Sequence, residues 1–172
     1  MNLAYILNCL STTLGKSKKN RHSIKMDKVR LREQLKLDEG VVNEIYKDHL
    51  GHPTFGIGHL ITDDDPEYGK PIGTEVSETR VNSAFEEDLE VAIKECRKLW
   101  DDFDVWPGEV QEILVNMMFN MGRPRLSKFV KMNEALANRN WKEAAKEGRD
   151  SRWYRQVTRR AERLMTRMEN VE

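Results

Sequence analysis

Apolar residues recur at helical spacing over most of this chain, and the longest such run lies in its middle. Val81, Ala84, Phe85, Leu89, Ala92, Ile93, Cys96 and Leu99 line one face of a long helix, and Ser77-Glu78-Thr79-Arg80 has the form of its start. Trp106-Pro107-Gly108-Glu109 opens the next helix, with Pro near the first position and Gly122 past the end. There Val110, Ile113, Leu114, Met117, Met118 and Met121 fall on more than one face, which predicts a largely buried helix. Residues 29–37 carry a shorter pattern, with Leu31, Leu35 and Leu37 among charged neighbours and Gly40 beyond the end. Toward the C-terminus Leu136, Ala137, Trp141, Ala144 and Ala145 make one apolar face, and Val157, Ala161, Leu164, Met165 and Met168 another. One stretch departs from this period. After a turn signalled by Asp48 and Gly51, residues 54–59 read as a short strand, and Asp63-Asp64-Asp65-Pro66 breaks it into an acidic loop ending near residues 71–73.

A chain of 172 residues, 38% of them hydrophobic, is long enough for one domain, or two small lobes sharing a helix, around a sizeable core. Its formal charge is zero, so no global electrostatic argument points to nucleic acid. The charges are unevenly spread: residues 60–112 hold 16 Asp and Glu against 5 Lys and Arg, whereas residues 123–172 hold 7 against 14. This predicts an acidic and a basic lobe, with charges pairing across helix turns on solvated faces. Cys9 and Cys96, far apart, argue against a disulfide-stapled scaffold and fit folding in a reducing cytoplasm, and Cys96 falls on the apolar helical face. Residues 1–28 read as an extension of the domain. Leu3-Ala4-Tyr5-Ile6-Leu7 is interrupted by Asn8, follows no basic residue, and is far short of the ~20 apolar residues that span a bilayer, so neither a secretory signal nor stable membrane insertion is expected. Residues 16–28 hold six Lys and Arg and predict a flexible basic arm.

The stretch with the densest candidate chemistry is residues 38–62, DEGVVNEIYKDHLGHPTFGIGHLIT. Glu39 belongs to the last turn of the first helix, where unpaired carbonyls and the negative end of the dipole disfavour a further negative charge, a setting that suits a proton donor. Asp48 lies in a solvated turn that favours its ionised form, and Thr54 adds a hydroxyl at the start of the strand. Two carboxyl groups in unlike settings are the pattern expected when one donates a proton and the other orients water. In glycoside hydrolysis, carboxyls roughly 6.5 to 9.5 Å apart leave room for that water, and about 5 Å suits a covalent intermediate. Singly, each of these residues is ordinary, and it is their combination that carries weight.

The same residues resemble the phage-type lysozymes of glycoside hydrolase family 24, the muramidase endolysins of tailed phages. The likeness runs through Asp38-Glu39-Gly40, Ile45-Tyr46-Lys47-Asp48, Thr54, Gly56-Ile57-Gly58-His59-Leu60 and Thr62 without a gap. It resumes at Val115-Asn116-Met117, Phe119, Met121-Gly122, Trp141, Glu143-Ala144-Ala145, Ser151-Arg152-Trp153-Tyr154 and Arg160-Ala161. The resemblance implies a lysozyme domain over residues 29–172 of the α+β class, mostly α. Its two lobes would comprise a small β-hairpin sheet in the N-terminal lobe, a long connecting helix and a C-terminal helical lobe, with the substrate cleft between them. It implies Glu39 as general acid, Asp48 with Thr54 as the water-directing pair, and Leu60 and Phe119 as cleft contacts. His59 would form a structural salt bridge, whose acidic partner does not align within residues 62–75. Arg160 and Arg163 would reach Glu39 and the Asp before it. Met132 and Glu147 replace the small polar residues usual at two sugar-contact positions, and the neutral overall charge departs from basic relatives. The implied partner is peptidoglycan glycan, met by a monomer without cofactor, made in the host cytoplasm and reaching the wall after release, with dependence on a holin.

Two other classes are weighed against this one. A metal site on His49, His52 and His59 has a possible His-x2-His spacing but no accompanying Cys or HExxH pattern, and the carboxylate mechanism needs no metal. Likewise Asp63-Asp64-Asp65 lacks the alternating ligands of a calcium loop, so a solvated loop is expected. The other class is a wall-binding module without activity, against which the joint presence of Glu39, Asp48 and Thr54 argues. An active tail-associated enzyme working at phage entry remains an alternative to one working at lysis.

Overall fold

A computed structural model of the protein describes residues 25–172. Cys9 and all but the last four residues of the expected basic arm lie outside the described residues. Met26 packs against the core, and Asp27 caps α1 (Lys28–Glu39), its Oδ1 accepting from the N–H groups of Val29 and Arg30 at 3.1 Å each. Leu31 and Leu35 are fully buried, but Leu37 is 85% exposed. The apolar stripe is narrower than the sequence suggests, because a residue six positions after Leu31 points roughly 120° away from it.

Gly40, at φ 78, ends α1 and turns the chain into β1 (Val42–Lys47). β1 pairs antiparallel with β2 (Pro53–Gly56), and β2 with β3 (His59–Leu60), giving the order β1-β2-β3. The one strand expected over residues 54–59 is therefore two. Gly56 and Gly58, at φ 65 and 78, reverse the chain between them, and a Cβ on Gly56 would lie 3.0 Å from Val81 Cγ1, so this glycine also lets the sheet rest on the long helix. The free edge of β1 is covered by the returning acidic loop: Gly73 N–H donates to Ile45 O at 2.7 Å, and Ile45 N–H to Thr74 O at 2.9 Å.

α2 (Glu78–Leu99) starts where expected, with Ser77 Oγ accepting from Arg80 N–H at 3.2 Å, and buries its apolar stripe, Cys96 included. A 3-10 turn at Phe103–Val105 leads into α3 (Gly108–Met121), the central helix of the larger lobe. Around it stand α4 (Arg123–Leu126), α5 (Val130–Ala137), α6 (Trp141–Arg149), α7 (Arg152–Gln156) and α8 (Thr158–Glu169). The face expected from Leu136 to Ala145 is split between two helices. Arg139 takes a positive φ of 57, Asn140 caps α6 by accepting from Glu143 N–H at 3.1 Å, and Ala137 is left exposed. Within α3 the polar Gln111, Glu112 and Asn116 are buried too. Glu112 binds Arg30 Nε at 2.8 Å, Arg167 Nη2 at 2.9 Å and the Asp27 N–H at 2.9 Å, which fastens the start of α1 to α3 and α8. Among the described residues no helix is long and apolar enough to cross a membrane.

Candidate active site

Glu39, the last residue of α1, lies at the centre of a buried polar network. Its Oε1 accepts from Arg160 Nη1 at 2.6 Å, and Oε2 accepts no hydrogen bond among the described residues. Arg160 is itself buried on α8, donating through Nε to Asn116 Oδ1 at 2.8 Å and through Nη2 to the Asn116 carbonyl at 3.0 Å. Asn116 Nδ2 in turn donates to Asp38 Oδ2 at 3.0 Å, and Arg163 Nη2 grips both Asp38 oxygens at 2.7 Å. Two adjacent carboxyl groups at the negative end of a helix are thus offset by two guanidiniums. The rigid fork of Arg160 fixes the plane of the Glu39 carboxyl and leaves one oxygen free.

Asp48 is held by a turn. Its Oδ1 accepts from the N–H groups of Leu50 and His52 at 2.8 Å each, and the His52 ring Nδ1 lies 3.5 Å from Oδ2. The N–H of His52 above all, then that of Leu50 and the His52 ring, hold the Asp48 carboxyl below its ordinary range against a smaller opposing effect of desolvation. Thr54 pairs across the sheet with Tyr46 on one side and Leu60 on the other. Its hydroxyl donates to the His52 carbonyl at 3.1 Å, so the oxygen keeps its lone pairs for another donor. Tyr46 links the two carboxyls. Its phenol is pushed up first by burial, then by the negative charges of Asp48 and of Glu39, so both carboxylates act on one ring.

Two cavities are lined by neighbours of these residues, His49 next to Asp48 and Leu60 opposite Thr54. One of about 590 Å³ is lined by Leu60 and Phe119 and carries Asp64, Asp65, Glu87, Asp88 and Glu95. The other, of about 960 Å³, begins at His49, beside Asp48, and is bordered by Arg125, Lys128, Lys131 and Arg152, with Met132, Glu147 and Asp150. Consecutive residues of α3 line both: Met118 and Phe119 the first, Asn120 and Met121 the second. Neither cavity includes Glu39, Asp48 or Thr54 in its walls. The acidic and basic halves of the sequence therefore reappear as an acidic and a basic cavity.

His59 stands below the first cavity, with Nδ1 2.8 Å from Asp88 Oδ2 and Nε2 3.1 Å from Asp65 Oδ1. The Asp88 bond first, and then Asp65, push its pKa up against desolvation. Asp65 would be raised by its burial, but the Thr62 N–H and hydroxyl and His59 together hold it low. The third Asp of the run is thus a structural anchor, and the solvated-loop reading fits Asp63 and Asp64 alone. With His59 so engaged, no group of three His, Cys, Asp or Glu side chains among the described residues is placed to hold a metal ion.

The family model described as "Phage lysozyme" matches residues 36–170. The chain belongs to the phage lysozyme family. It is 32% identical to "Probable T4-type lysozyme 2" of Dictyostelium discoideum over 79% of this chain and 91% of that one. It is 33% identical to "Pre-baseplate central spike protein Gp5" of Enterobacteria phage T4 over 77% of this chain and 26% of that one. "Peptidoglycan hydrolase gp36" of Pseudomonas phage phiKMV is 32% identical over 84% of this chain and 16% of its own. This chain thus spans nearly all of the first and about a quarter or less of the other two. As a phage lysozyme it is a glycoside hydrolase that acts on peptidoglycan.

Several residues of this lysozyme's site carry geometry that the sequence did not single out: Tyr46, His52 and Asn116. For Asn116 a signal existed, since an amide in a helix otherwise apolar all round must find buried partners. For Tyr46 the only signal was its place in the matching motif. His52 was weighed only as a metal ligand, and its role in the turn depends on a hydrogen-bond pattern that composition does not reveal.

Proposed function

We propose that this lysozyme cleaves the β-1,4 bond between N-acetylmuramic acid and N-acetylglucosamine by single displacement, with inversion. The observation that carries this reading is the unlike support of the two carboxyl groups. Asp48 has its charge stabilised by main-chain N–H groups, while Glu39 keeps one oxygen unengaged. Glu39 transfers its proton to the leaving glycosidic oxygen as the C1–O bond breaks. A water donates one hydrogen to Asp48 and the other to Thr54 Oγ, both being acceptors, which turns its lone pair toward C1. As the new C–O bond forms, the water's proton passes to Asp48, and solvent exchange resets both carboxyls. Leu60 and Phe119 offer apolar surface to sugar rings, and Arg160 keeps the donor's plane fixed through the reaction.

Glu39→Gln and Asp48→Asn proteins assayed on purified peptidoglycan, with the anomer and reducing end of the product identified, test this reading. Retained clearance by Glu39→Gln, or a product of retained configuration, overturns it. We assign the activity to release of progeny at the end of infection, after synthesis in the host cytoplasm and passage through a holin lesion. The likeness to a central spike protein supports a second reading, digestion of wall at entry. Zymography of purified virions against late-infection lysate separates the two.

A further inference from the structure

The main chain of His52 is tied to both members of the water-directing pair. Its N–H is one of the two donors on Asp48 Oδ1, and its carbonyl accepts from the Asp48 N–H at 2.9 Å and from the Thr54 hydroxyl at 3.1 Å. Many residue types at position 52 could make those bonds. The imidazole adds a contact that the backbone cannot, because Nδ1 lies 3.5 Å from Asp48 Oδ2, the oxygen that the turn leaves without a hydrogen bond. Oδ2 is therefore the atom open to the attacking water.

We propose that the His52 side chain is a positioning residue for water attack, holding Asp48 Oδ2 in place for the water and extending the enzyme's working range into acid. This rests on the assignment of Asp48 as the acceptor of the water's proton. When the ring carries a proton it is a cation against Oδ2, which favours the ionised carboxylate that the reaction requires. The other charged or titratable groups around Asp48 are Lys47 and His49 beside it in the chain and Tyr46 on β1, whose ring also feels Glu39. Across the basic cavity stand Glu147, Asp150 and Arg152. Among the described residues, His52 alone supplies a side chain within ion-pairing distance of Asp48. The ring is 56% exposed, so its influence is that of a surface charge pair, graded and not all-or-none.

The test is kcat/KM on purified peptidoglycan as a function of pH for the wild type, His52→Gln and His52→Arg. His52→Gln should move the acid limb to higher pH, with a roughly two- to fivefold loss on the acid side that shrinks toward neutrality. His52→Arg, which restores a cation, should bring the limb back. Superimposed wild-type and His52→Gln profiles would overturn the proposal, as would an equal loss at every pH that His52→Arg does not relieve. Asp48→Asn measured alongside separates the two levels. If that variant stays active, the assignment of Asp48 fails and takes the proposal with it, whereas an inactive Asp48→Asn with an unmoved His52→Gln limb refutes the role of His52 alone.

Discussion

Glu39 and Asp48 are held in opposite ways. Glu39 depends on a guanidinium 121 positions away in the chain, which in turn depends on an amide 44 positions from itself. Asp48 is held by N–H groups two and four residues on. The proton donor is thus set by the packing of the whole helical lobe, and the water-directing carboxylate by a turn that carries its own geometry. Damage far from the site should therefore reach the donor first.

The largest expected effect comes from the carboxyls themselves. Glu39→Gln should lower kcat by roughly 10²–10⁴-fold or more while leaving the thermal midpoint close to wild type, since the amide oxygen still accepts from Arg160. Asp48→Asn should lose a comparable factor, its amide oxygen still accepting both turn N–H groups. The contrast between the two supports appears one step away. Arg160→Ala leaves Asn116 and Glu39 without their buried partner and should cost roughly 3–5 kcal/mol of stability together with most of the activity, read by calorimetry and wall clearance. If that variant keeps both, the donor does not depend on long-range packing.

His59 predicts a smaller, pH-dependent loss. Its pKa is raised, so its contribution is complete below the ordinary histidine value of 6.5 and fades as pH climbs through the raised one. Asp65 is lowered, so its share is complete above the ordinary 3.8 and is lost as pH falls through the depressed value. His59→Asn should therefore destabilise by about 1.5–3 kcal/mol between roughly pH 4 and 6.5, and by much less in mild alkali. Thermal melts across that range decide it, and a difference that grows with pH would contradict the pairing. Smallest of all, Arg163→Ala removes an exposed guanidinium from Asp38, which Asn116 still holds, and should cost about 1 kcal/mol or less.

The helical frame was legible because apolar spacing, Ser77, Pro107 and the terminating Gly40 and Gly122 each act locally. The errors arose where a local pattern has two readings. Gly56 and Gly58 lie within an apolar run that suits one strand or a tight hairpin, and only the approach of Val81 selects the second. Leu37 continued a stripe in composition but not in angle. The acidic partners of His59 show the limit of reading by neighbourhood. Asp65 lies in the loop that was considered, but Asp88 lies on α2, 29 positions on, and the pairing exists only because the sheet rests on that helix. At the active site the reach of Arg160 and Arg163 to Glu39 and Asp38 was legible from the family resemblance, but the hold of Asn116 on Arg160 was not, since the two meet through packing that no spacing encodes.

Arg160 belongs to α8, 121 positions after the carboxyl that it orients. A nascent protein that has passed residue 150 already holds Glu39, Asp48 and Thr54, but the cation that orients the donor is still to be translated, as are Leu164, Met165 and Met168, which complete the lobe beneath it. Vectorial synthesis thus delivers the reactive groups before their alignment, and a copy halted between them carries a wall-cutting side chain with nothing to aim it.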